Sequence, residues 1–125
     1  MAETRYTSDH EWIRLEDDGT ATIGLTDHGQ EAMGEIVFVE LPEAGREVAL
    51  GEACAVVESE RTANDIFAPL AGKVADINEA VAEEPGLLNR DPEGEAWLFR
   101  LEPDDTDGFE ALMDEDAYES FLETL

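Results

Sequence analysis

Apolar and polar residues alternate with period two in "EWIRL" (11–15) and "TATIGL" (20–25), which predicts two strands. The "EDDGT" between them is turn-like, so the pair reads as a hairpin. The spacing changes in "TDHGQEAMGE" (26–35). There Thr26 or Asp27 can cap a short helix, Gln30 or Glu31 follows at capping-box distance, and Gly34 is a stop. "EIVFVEL" (35–41) is a strand ending at Pro42, and "REVAL" is a short strand bracketed by glycines. "ACAVVES" (53–59) reads as a buried strand and "ERTAN" as a polar tip. "DIFAPLAG" then returns, with Pro69 holding it at an edge or bend. "KVADINEAV" (73–81) alternates again, "EEPGLLNRDPEGE" (83–95) is a loop with room for one helical turn, and "AWLFRLEP" (96–103) is a last strand.

The period becomes helical in "DEDAYESFLETL" (114–125). Asp114 is a cap, Glu115 and Asp116 suit the positive end of a helix, and Ala117, Tyr118, Phe121, Leu122 and Leu125 share one face. That face is expected to pack on the sheet. Many short strands with a terminal helix predict a mainly β fold, a small sandwich or barrel with short helical additions. At 125 residues the chain suits one domain, 1–125. The segments "GREVALGEACAVVES" and "FAPLAGKVADINEAV" hint at a duplicated unit.

Charge sharpens this picture. Asp and Glu number 33 against 7 Lys and Arg, for a formal net charge of −26. Such a surface repels nucleic acid and anionic membrane, so neither is expected as a partner. The acids are spread along the chain, which fits a folded surface adapted to high internal salt, or a redesigned one, better than an acidic tail. Cys54 is the only cysteine and reads as a small buried hydrophobe; a lone cysteine fits a reducing cytoplasm. "MAETRYTSDHEW" has no apolar run after a basic start, so no secretory signal is expected.

Candidate chemistry is sparse. With two histidines, His10 and His28, and one cysteine, no metal constellation is expected. No glycine-rich phosphate loop and no "GxSxG" elbow occurs, so an enzyme is not expected. The informative segment is "VVESERTANDIFAPLAG" (56–72), a hairpin that displays its tip. A protein that carries a reactive group between distant sites needs it on a long tether at a rigid, exposed turn. A lysine would supply an acylatable amine there, but the tip residue is Arg61.

Several blocks in order then resemble the H protein of the glycine cleavage system: "DHEW" (9–12), "TATIGLTDHGQEAMGEIVFVELPEAG" (20–45), "GEACAVVES" (51–59), "ANDIFAPLAGKVADINEAV" (63–81) and "EEPGLLNRDPEGEAWLF" (83–99). The resemblance implies a barrel-sandwich hybrid, like lipoyl domains, with a C-terminal helix. It implies a non-enzymatic carrier in glycine catabolism that shuttles an aminomethyl group on a lipoyl arm between the P, T and L proteins, after a lipoate-attaching enzyme has loaded it. Matching Glu58, Ser59, Asp65 and Gly72 puts Arg61 at the family's lysine position, with Glu60 where an apolar residue is usual. Glu11, Asp65, Asp9 and Leu25 match positions around the family's arm cleft, the first two near the loaded amine and Leu25 on an apolar wall. Glu93 and Ala96 stand where an aromatic and a glycine are usual.

Acylation needs a neutral amine lone pair. A lysine amine can lose its proton, whereas a guanidinium stays charged to about pH 12 and delocalises its lone pairs. Lipoate is therefore expected not to be attached to this chain. Lys73, the only lysine, sits past Gly72 on the returning segment and reads as a solvated strand residue. Alternatives to the carrier are an arm-less binding or scaffold protein, or a silenced or redesigned variant; an enzyme built on Glu11, His10 and Asp65 is a third.

Overall fold

The computed structural model describes residues 3–125. The strands are β1 (Glu3–Tyr6), β2 (Glu11–Leu15), β3 (Ala21–Leu25), β4 (Ile36–Glu40), β5 (Glu47–Val48), β6 (Ala53–Ser59), β7 (Ala63–Phe67), β8 (Gly72–Ile77) and β9 (Phe99–Pro103). The helices are α1 (Asp27–Met33), α2 (Glu79–Glu83), α3 (Leu87–Arg90) and α4 (Glu115–Leu122), with a 3-10 turn at Phe109–Ala111. The six-stranded sheet runs β1-β2-β3-β9-β8-β5 and the three-stranded sheet β4-β6-β7. Every pairing is antiparallel. The mainly β reading of the pattern holds, and the two sheets fit the lipoyl-domain-like fold that the resemblance implies.

The two sheets close on one apolar cluster. Ile13, Ile23, Val74 and Leu101 enter it from the larger sheet, and Val57 and Ile66 from the smaller. Alternation puts these residues on the inner face. Trp12 faces its cross-strand partner Gly24, where a β-carbon would sit 2.6 Å from the indole. The indole N–H donates to the Pro92 carbonyl at 3.0 Å.

Local chemistry sets the helix ends. The Thr26 hydroxyl accepts the Gly29 N–H at 3.1 Å and caps α1, and the Gly34 N–H closes its far end on the Gln30 carbonyl at 3.0 Å. Asn89, carried on α3, clamps this end. Its amide donates to the Gly34 carbonyl (2.9 Å) and to Gln30 Oε1 (2.8 Å), and its oxygen accepts the Ile36 N–H (2.8 Å).

Three details differ from the sequence pattern. β1 was not expected; it pairs with β2 from Glu3↔Leu15 to Tyr6↔Trp12. The alternation through "KVADINEAV" stops at Ile77. Asn78 is buried and donates twice, to the Glu95 and Trp97 carbonyls (2.8 Å each), and the chain turns into α2. The C-terminal helix ends at Leu122, leaving Leu125 exposed and outside the packed face. This helix packs against β1 at the sheet edge, through a stacked Tyr6–Tyr118 pair with centroids 4.7 Å apart. Among the described residues no helix is long and apolar enough to cross a membrane.

Candidate functional site

The β6–β7 hairpin is in register from Ala53↔Phe67 to Glu58↔Ala63. Ser59 organises its apex. Its N–H donates to the Thr62 carbonyl at 2.8 Å, while its hydroxyl accepts the N–H of Arg61 (3.3 Å) and of Thr62 (3.2 Å). A serine that satisfies turn amides in this way fixes a tight, exposed loop. Residue 61 is thus at the tip, as the sequence reading requires.

The Arg61 side chain is not free. Its Nη2 donates to the Ala32 carbonyl in the last turn of α1 at 3.3 Å. The guanidinium lies against Gly34, where a β-carbon would approach Nη2 to 2.8 Å. A cation at a helix C-terminus meets carbonyls with no intrahelical partner. Lys73 is elsewhere: it is an exposed β8 residue of the larger sheet, between cross-strand partners Glu47 and Glu102.

A cleft begins at the foot of the apex. Ser8, Asp9, His10 and Leu25 line one side and Ala63 to Phe67 the other. The structure brings Asp9, Leu25 and Asp65 together here, with both carboxylates exposed and Leu25 buried. The cleft thus offers one apolar side chain and two carboxylates able to hold a cation by charge-assisted hydrogen bonds.

Glu11 is placed differently. It is not in the lining; its residue is 1% exposed and lies between the sheets. Oε2 accepts the Phe67 N–H at 2.7 Å and Oε1 accepts the Thr7 hydroxyl at 3.3 Å. Burial is the main cause that pushes its carboxyl up to about 7, against the two hydrogen bonds that favour the charged form. Glu11 therefore ties β2 to β7 from beneath the cleft.

Sequence reasoning did not reveal the cluster behind His10. His10, the residue before β2, adopts φ 66, a left-handed conformation. Its Nδ1 lies 2.8 Å from the Tyr118 hydroxyl, which lies 2.8 Å from the Thr26 hydroxyl. The His10 and His28 rings are 4.6 Å apart. Burial and the neighbouring His28 push the His10 imidazole below its ordinary value, with Asp9 opposing. No local sequence signal announces this contact, because 108 residues separate His10 and Tyr118. Glu93, unusual for the resemblance, accepts the Asp27 N–H at 2.9 Å at the start of α1, and Ala96 is fully buried.

Cys54 is buried, and burial raises its thiol to about 11, as suits an inert core residue. Among the described residues no group of three His, Cys, Asp or Glu side chains is placed to hold a metal.

A family model described as glycine cleavage H-protein matches residues 4–125. The glycine cleavage system H protein of Acidiphilium cryptum is 55% identical over 125 residues, covering 100% of both chains. That of Thermotoga maritima is 50% identical over 121 residues, 97% of each. The crystal structure of a glycine cleavage system H protein from Mycobacterium marinum superposes with a TM-score of 0.89 at 35% identity, covering 97% of both chains.

Proposed function

The chain belongs to the glycine cleavage H-protein family, and from that premise we propose that it is a lipoyl-domain carrier scaffold of that system whose attachment position is Arg61. Residues 1–125 act as one such domain. As written, the chain docks where H proteins dock but bears no covalent arm.

The carrying observation is Arg61 at the apex of the β6–β7 hairpin, in a turn organised by Ser59. In H proteins the lipoyl arm accepts an aminomethyl group from glycine at the P protein, presents it to the T protein and is then reoxidised by the L protein. The cleft of this chain suits such an arm: Leu25 offers an apolar wall, and Asp9 and Asp65 offer carboxylates to a cationic amine. The attachment residue does not suit it. Amide formation requires a nitrogen lone pair to attack an activated carboxyl while its proton leaves, and a guanidinium supplies neither. Lys73 is no substitute, because it stands in a sheet ladder away from the apex. No transfer step is therefore assigned to this chain.

Lacking an arm, the molecule is a non-enzymatic binding protein of the cytoplasm. Its partners are the P, T and L proteins and the lipoate-attaching enzymes. A competition assay tests this reading. Glycine cleavage driven by a limiting lipoylated H protein should fall as this chain is added, and the chain alone should support none. Turnover by the isolated chain, or undiminished turnover at large excess, contradicts it.

A further inference from the structure

A β-bulge builds an apolar spot beside the apex. Along β4 the inward residues are Ile36 and Val39, three positions apart where a regular strand would space them by two. The ladder to β6 shifts between Ile36 and Phe38. The extra residue turns Val37 and Phe38 outward together, 47% and 48% exposed. Bulges re-aim side chains in this manner and collect next to functional sites.

The spot is close to the hairpin tip. Ile36 pairs with Ser59, the residue that organises the turn, and Phe38 pairs with Glu58. Val56, half-buried opposite Glu40, extends the apolar area along β6. Among the described residues the other large exposed hydrophobics are Leu50 and Leu125, each alone in sequence, so Val37 and Phe38 are the adjacent pair. β4 is also an edge strand, which leaves its outer side without a neighbouring strand.

Charge identifies the occupant. Glu35 and Glu40 flank the pair and are exposed, Glu58 stands across from Phe38, and Glu60 lies in the turn. The whole chain carries −26. We infer that Val37 and Phe38 are the anchor of a docking surface for a partner protein that offers an apolar socket ringed by lysine and arginine. That partner sits beside the apex, so its own catalytic site reaches residue 61. A second copy of this chain would bring like-charged rims together, and an anionic membrane would be repelled. This inference rests on the carrier-family reading and adds the residues that make the contact.

The test uses the full chain with Val37→Thr and Phe38→Thr together, and Phe38→Thr alone; threonine is β-branched, which a strand favours, and lacks the apolar surface of valine and phenylalanine. Leu50→Thr is the control. Binding to purified P protein is measured by titration calorimetry at low and high salt, after circular dichroism shows each variant folded. The double variant should bind about tenfold more weakly or worse, with Leu50→Thr unchanged, as expected for a central aromatic anchor. The unaltered chain should weaken with salt, because the charged rim is screened. An unchanged Kd for the double variant overturns the inference. So does a dimer of the unaltered chain that the double variant dissolves. If the unaltered chain fails to bind P protein at all, the carrier-family reading fails first, and no substitution is needed to see it.

Discussion

The guanidinium of Arg61 reaches across from the hairpin apex to the Ala32 carbonyl at the end of α1, with a donor–acceptor distance of 3.3 Å. The apex is thereby fastened to a helix end that has no basic residue of its own in its last turn. Gly34 makes the contact possible. Its φ of 88 and ψ of −152 belong to a region essentially reserved for glycine, and its missing side chain leaves room for the guanidinium. Gly34→Ala should cost about 1 to 3 kcal/mol from backbone strain, plus the clash. In the Arg61→Ala background the strain should remain and the clash should vanish, so the second substitution should cost less there. Equal costs in both backgrounds, read from urea midpoints, would show that the two residues do not interact.

Glu11 gives the chain a pH signature. Its folded-state carboxyl stands near 7 against an ordinary 4.5, chiefly because it is buried. A raised carboxyl contributes stability that is fully present below about pH 4.5. That contribution is lost as pH rises toward 7, where the buried group must ionise. The span corresponds to roughly 3 kcal/mol. Glu11→Gln keeps the shape and cannot ionise. Its stability should fall less than that of the unaltered chain between pH 4.5 and 7. Parallel Tm-versus-pH curves for the two would contradict the assignment.

His10 acts with the opposite sign. Its imidazole is depressed by burial and by His28, so its contribution is present above its ordinary value of 6.5 and is lost as pH falls below that. The Tyr118 hydroxyl joins this ring to Thr26, the cap of α1. Tyr118→Phe should cost about 1 to 3 kcal/mol, because it strips both groups of a partner. Protonating His10 should also change the surroundings of Tyr118, whose hydroxyl bonds to this ring and whose own ring stacks on Tyr6. Tyrosine near-ultraviolet dichroism followed from pH 7 to 5 reports this. A signal unchanged across that range in the unaltered chain would refute it.

Salt should stabilise the fold. With a net charge of −26 the folded state is self-repelling, and added ions screen that repulsion. Among the described residues, ion pairs such as Arg14–Glu16 at 2.9 Å are few beside the excess of carboxylates, so screening them costs little. Tm should climb from dilute buffer to molar KCl; a flat curve would remove this reading of the acidic surface.

Much of the scaffold was legible because its local signals agree with its long-range ones. "EWIRL" and "TATIGL" pair as β2 and β3 in the register their alternation suggests. Thr26 and Gly34 bound α1, and Asp114 caps α4 through the Ala117 N–H at 2.8 Å. The hairpin tip was legible for the same reason. What was not legible depends on tertiary partners. Asn78 ends β8 by bonding to carbonyls 17 and 19 residues away, against a continuing alternation. In β4 the bulge puts two apolar residues outward, where period two would bury one. At the site, Asp9, Leu25 and Asp65 do share a cleft, whereas Glu11 fits neither an exposed acid nor a lining residue. Its burial depends on the Phe67 amide, which no local pattern announces.

The decisive measurement is the intact mass of the chain after incubation with lipoate, ATP and a lipoate ligase, beside Arg61→Lys and an unrelated H protein as a positive control. The unaltered chain should keep its mass while Arg61→Lys gains one lipoyl group. A lipoyl-sized gain on the unaltered chain would show that another nitrogen takes the arm, and would contradict the account at its base.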